Sequence, residues 1–126
     1  MKSKVTFLKA HTPQEKLKIL QETVQTLFLS GKRFTLIAPN EEALRYLDNF
    51  LWNTPPESFL PHQISSKPTE EIVVLTTQQE NFNRSHACIN VSMKPIIADF
   101  AEVFELLDYT TPAKAEQSDL KLKSYS

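Results

Sequence analysis

Apolar residues recur along this chain in two rhythms that alternate. The run "KVTFLKA", Lys4 to Ala10, is short and rich in β-branched and aromatic residues, which predicts a strand. Thr12-Pro13-Gln14-Glu15 follows as a capping box with proline at the first helical position. Leu17, Leu20, Val24, Leu27 and Phe28 then recur at helical spacing, and Ser30-Gly31 supplies a stop, so a helix is predicted from about Pro13 to Ser30.

"RFTLIAP" is a nearly continuous apolar run, as expected of an inner strand covered on both faces. Asn40 with Glu41 and Glu42 behind it can cap a second helix, whose buried stripe is Ala43, Leu44, Leu47, Phe50 and Leu51. "EIVVLTT" and "CINVSM" read as two further strands. "PIIADFAEVFELL" places Ala98, Phe100, Ala101, Phe104 and Leu107 at near-helical intervals and predicts a third helix. The order β-α-β-α-β-β-α predicts an α/β fold with three α/β/α layers and a central mixed or mostly parallel sheet. Residues 1–109 form this single domain, and 110–126 are expected to be a polar C-terminal tail or short helix packed on it.

Composition narrows the chemistry. With 14 Lys and Arg against 15 Asp and Glu, the chain lacks the positive field that holds proteins nonspecifically on nucleic acid. No apolar run approaches the roughly 18 to 20 residues of a bilayer span, and Lys9 interrupts any secretory apolar region, so the chain is expected to be cytoplasmic and away from membranes. The single glycine, Gly31, cannot build a phosphate-cradling loop or a dinucleotide fingerprint, both of which need several positions free to take positive φ. No cofactor is expected. One cysteine, Cys88, makes no internal disulfide and forms no structural zinc site without several partners, which His11, His62 and His86 offer only from scattered positions, so no metal is expected.

Catalytic constellations are equally sparse. No glycine-flanked serine forms a nucleophile elbow, and the adjacent acids Glu41-Glu42 and Glu70-Glu71 point apart in regular structure. A small α/β enzyme or nucleotide-binding protein using His62 and Cys88 stays open as an alternative, beside the plainer reading of Cys88 as a core residue. In "LWNTPPESFLPH", Leu51 to His62, three prolines restrain a segment that carries Trp52 and Phe59. Those rings fit either a core beneath the loop or a preorganised docking surface.

"SGKRFTLIAPNEEALRYLDNFLW" resembles the strand and helix that follow the nucleotide site in helicase-type motor domains, which implies a helicase-like topology without a nucleotide site. A helicase-like interaction module with another partner is a further alternative. The longer block "SGKRFTLIAPNEEALRYLDNFLWNTPPESFLPH", Ser30 to His62, resembles the chi subunit of the bacterial DNA polymerase III holoenzyme. That family has a similar S-G-K-R strand, an L-D-x-x-L-W helix end and a P-x-E-S-F-x-P-H segment. "INVSMKPIIADFAEVFELLDY" is similar to the family's strand followed by an A-D-F-A helix.

The resemblance implies a noncatalytic clamp-loader accessory subunit that binds the psi subunit and the C-terminal tail of single-stranded-DNA-binding protein (SSB), touching DNA only indirectly. It assigns the psi interface to Trp52, Pro56, Phe59 and His62. The SSB tail falls to the C-terminal segment, where Lys114, Gln117 and Lys121 share one helical face and Lys123 matches a family lysine. Glu116 and Asp119 make this segment less basic than the family's usual C-terminal helix.

Overall fold

The computed structural model describes residues 3–53, 63–96 and 98–125. In chain order the elements are β1 (Lys4–Ala10), α1 (Pro13–Leu29), β2 (Phe34–Ile37), α2 (Glu41–Asn53), β3 (Gln63–Ile64), β4 (Val73–Thr76), β5 (Ala87–Asn90), β6 (Glu102–Asp108) and α3 (Pro112–Lys123). The strands make a six-stranded sheet ordered β1-β6-β5-β2-β4-β3. Every described pair is parallel, with Lys4 opposite Glu102, Phe34 opposite both Val73 and Ala87, and Gln63 opposite Val74. The expected α/β fold is present.

Local chemistry accounts for the helix ends. The Thr12 hydroxyl accepts the Glu15 amide at 3.1 Å, while Glu15 returns a bond from the His11 amide at 2.7 Å. At the other end of α1, Gly31 takes φ +76° and donates its amide to the Phe28 carbonyl. The Asn40 side chain accepts the Ala43 amide at 2.8 Å and opens α2. Leu20, Val24 and Leu27 of α1 and Leu44, Leu47 and Leu51 of α2 bury against Phe34, Leu36, Leu75, Ile89 and Leu106 on one face of the sheet.

Alternation along the strands sends Cys88, Val103 and Glu105 to the opposite face. There Ile37, Cys88, Phe100 and Val103 form a smaller apolar cluster, and α3 lies over β6. The layers are therefore α1 and α2, then the sheet, then α3.

One expectation is corrected. The second half of the stretch read as a third helix is β6, whose Val103, Glu105, Leu106, Leu107 and Asp108 are buried between two neighbouring strands, while Ala98, Phe100 and Ala101 precede the strand. A strand covered on both faces loses its alternating pattern, and its apolar spacing then imitates a helix. The third helix is instead a short one within residues 110–126, where the Thr111 hydroxyl accepts the Lys114 amide at 3.2 Å and Pro112 occupies the first turn. Thr111→Ala is expected to lower stability by about 1 kcal/mol in urea unfolding, the usual cost of a lost cap.

Candidate functional site

The C-terminal helix meets the sheet through charge. Glu105 stands in the middle of β6 with no exposed side-chain surface, and Lys121 reaches it from α3 at 2.7 Å. The Lys121 ammonium also donates to the Ser92 and Leu106 carbonyls, both at 2.7 Å, which uses all three of its donors. Asn90 donates to Glu105 Oε1 at 2.7 Å, and the Tyr125 hydroxyl donates to Oε2 while accepting the Ile96 amide at 2.8 Å. Burial pulls the lysine below its ordinary pKa, with Glu105 pushing back. The Tyr125 ring packs edge-on against Phe7 of β1 at 5.9 Å, so the end of the chain is fastened to the first strand as well.

A second anchor sits where β6 enters α3. Asp108 accepts from the Thr110 hydroxyl and amide at 2.6 and 3.0 Å and from the Lys16 ammonium at 2.9 Å, with Lys114 at 3.9 Å. Its own amide donates to the Ser118 hydroxyl at 2.8 Å. Burial alone would raise this carboxyl, but the bonds from Thr110 and Lys16 outweigh it and hold the pKa at about 2, against an ordinary 3.8.

Because the folded value lies below the unfolded one, the anchor stabilises fully above pH ~4 and loses that contribution as pH falls towards 2. Asp108→Asn is expected to lose roughly 1–2 kcal/mol at neutral pH, and the difference from wild type should shrink near pH 2 in urea midpoints. An unchanged difference across that window would show that the carboxylate charge plays no part.

The sequence-predicted site residues divide. Lys114 is half-exposed, while Gln117 and Lys123 are exposed on α3. Lys121 does share a helical face with Lys114 and Gln117, but that face turns inward at its C-terminal end. With the Lys121 side chain fully buried and its donors spent, it is withdrawn from the peptide-binding set. The outward face is instead Gln117, Leu120 and Lys123, with Leu120 55% exposed. Trp52 falls in the last turn of α2; its side chain, like Pro56, Phe59 and His62, lies outside the described residues.

Cys88 is fully buried, and desolvation, then the Glu105 charge, raises its thiol far above the range of a reactive cysteine. Among the described residues no group of three His, Cys, Asp or Glu side chains is placed to hold a metal. No helix among them is long and apolar enough to cross a membrane.

What the sequence reading missed is Leu120 and the set Asn90, Ser92 and Glu105. The signal for the latter was available: an acid within the apolar run "EVFELL" has to find a cation once buried.

Residues 1–125 match the family model of the DNA polymerase III chi subunit, HolC. Among curated proteins, the DNA polymerase III subunit chi of Escherichia coli (strain K12) is 33% identical over 82 residues. That alignment covers 64% of this chain and 56% of the relative, so it spans little more than half the relative's length.

Proposed function

Since the chain belongs to the DNA polymerase III chi subunit family, we propose that it is a noncatalytic accessory subunit of the bacterial replicase. In this role it works in the cytoplasm by protein contacts, coupling the clamp loader, through a psi subunit, to SSB on single-stranded DNA. The observation that carries the reading is the family match across residues 1–125.

Two surfaces divide the work. The psi contact falls to Trp52, Pro56, Phe59 and His62, beginning where α2 ends. The acidic, apolar SSB tail is assigned to the exposed surface of α3, where Lys123 supplies a cation, Gln117 a hydrogen-bonding amide and Leu120 apolar area on the outer face, and Lys114 a second cation from the first turn. Support for this second surface comes from the way α3 is held. A helix tied down by a buried ion pair and by Asp108 loses little freedom when a peptide docks on it.

Calorimetric titration with an SSB tail peptide tests the assignment. Lys114→Glu with Lys123→Glu is expected to weaken binding about tenfold or more, with affinity falling as salt rises. Equal binding of whole SSB and SSB without its C-terminal residues would reject tail recognition. Co-purification with a psi protein should be lost on Phe59→Ala in a variant that still unfolds cooperatively.

A further inference from the structure

At the end of the sheet where β2, β4 and β5 begin, away from the N-terminus of α3, two arginines from separate loops line one cavity of about 350 Å³. Its other walls are Pro68, Thr69, Glu70 and Phe82. We propose that this cavity is a binding site for a single oxyanion, a phosphate or carboxylate group on a small ligand, gripped by Arg33 and Arg84.

The loop that carries Arg84 is fixed by side-chain amides. Asn81 donates to the Ser85 carbonyl at 2.8 Å and to the Asp99 carbonyl at 3.2 Å, and accepts the Ser85 amide at 2.7 Å. Asn83, fully buried, donates to the Glu71 and Ile72 carbonyls and accepts the Thr35 and Ser85 hydroxyls. The Phe82 carbonyl takes the Thr69 amide at 2.9 Å, tying the loop to the cavity's far wall. Between these anchors Arg84 adopts φ +54°, a left-handed conformation that residues other than glycine take at a cost. Strain held in place by so many bonds fixes where the side chain leaves the backbone, and such positions cluster at binding sites.

The guanidiniums have donors to spare. Arg33 spends one N–H on the Asn83 carbonyl at 3.1 Å, and among the described residues neither arginine makes an ion pair. Glu70 shares the cavity yet pairs with neither arginine, which leaves the lining with one net positive charge. Guanidinium forks match the geometry of phosphate and carboxylate, and two of them in one concavity fix an anion better than scattered lysines do. The occupant is one anionic group and not a polyanion, because Glu70 and Glu71 beside the cavity and the chain's net charge of −1 oppose an extended phosphate backbone.

Amide chemical-shift titration of the whole chain with inorganic phosphate and a nucleoside monophosphate, and in parallel with acetate and citrate, tests the site. Saturable shifts are expected at Thr69 and from Asn83 to Ser85, with millimolar dissociation constants for the smallest anions. Arg84→Ala should weaken binding about tenfold or more, while Glu70→Gln should tighten it roughly two- to threefold. Arg84→Gly should raise the melting temperature by about 3 °C as the backbone relaxes, yet lose the anion all the same.

A response to phosphates alone, to carboxylates alone or to both identifies the source and supports the site, provided that it requires Arg84. No saturable response to any of them overturns it, as does undiminished binding in Arg84→Ala. So does an oligonucleotide whose affinity grows with length and survives that substitution.

Discussion

Lys121→Ala is expected to destabilise the protein by about 3–5 kcal/mol, a large share of the stability of a small domain, read as a lowered urea midpoint. The substitution leaves the Glu105 carboxylate enclosed with only Asn90 and Tyr125 to solvate it, and strands the Ser92 and Leu106 carbonyls. Glu105→Leu should cost a similar amount for the converse reason, an ammonium buried without its counter-charge. The double variant Glu105→Leu with Lys121→Met is expected to lose less than the sum of the two single variants by at least about 2 kcal/mol, because neither orphaned charge remains. Strictly additive losses would show that the two groups stabilise the fold independently. Far-ultraviolet circular dichroism adds a structural readout: helix signal should fall before the cooperative transition if α3 detaches first.

Asn83→Ala carries the next largest effect, about 2–3 kcal/mol. One amide here serves the Thr35 and Ser85 hydroxyls on one side and the Glu71 and Ile72 carbonyls on the other, while its backbone carbonyl receives Arg33. The loss is softened because Thr35 and Ser85 still reach each other at 3.0 Å and the Ile72 carbonyl keeps the Phe34 amide. Asn83→Asp should be no better tolerated, since a carboxylate would then face two carbonyls. Chemical denaturation of the three proteins side by side checks the order; a neutral Asn83→Ala would mean that water replaces the amide.

Much of the architecture was legible along the chain. Six elements were readable because each has one clear rhythm or a cap: β1, α1, β2, α2, β4 and β5. Of the remaining three, β3 and β6 were hidden and α3 was left open between tail and short helix, for different reasons. Strand β6 is buried on both faces, which erases its period. Helix α3 is polar outside and meets the core through Ser118 and Lys121, so hydrophobic patterning does not decide between a tail and a helix. Its Thr111-Pro112 start repeats the Thr12-Pro13 start of α1, and that repeated cap was the usable signal. Strand β3, two residues long, is too short for any pattern.

At the candidate site, spacing put Lys114, Gln117 and Lys121 on one face, but spacing cannot say whether a face looks inward or outward. Glu105 decides that, through a contact between the sheet and a helix that follows it in the chain. The family resemblance, carried by residues 30–62 and 89–109, is borne out by the match over residues 1–125. The residues assigned to psi lie largely outside the described part of the chain.

The pairing of β1 with β6 also sets a timetable. Among the described residues β1 has a single neighbour in the sheet, and Lys4 finds its partner only at Glu102. On a ribosome adding about 5–20 residues per second, the first strand waits on the order of 5–20 s for the strand that completes it. Throughout that interval Val5, Phe7 and the open backbone around them have no sheet to join. The nascent chain therefore holds an adhesive edge until Glu102 to Asp108 have been made.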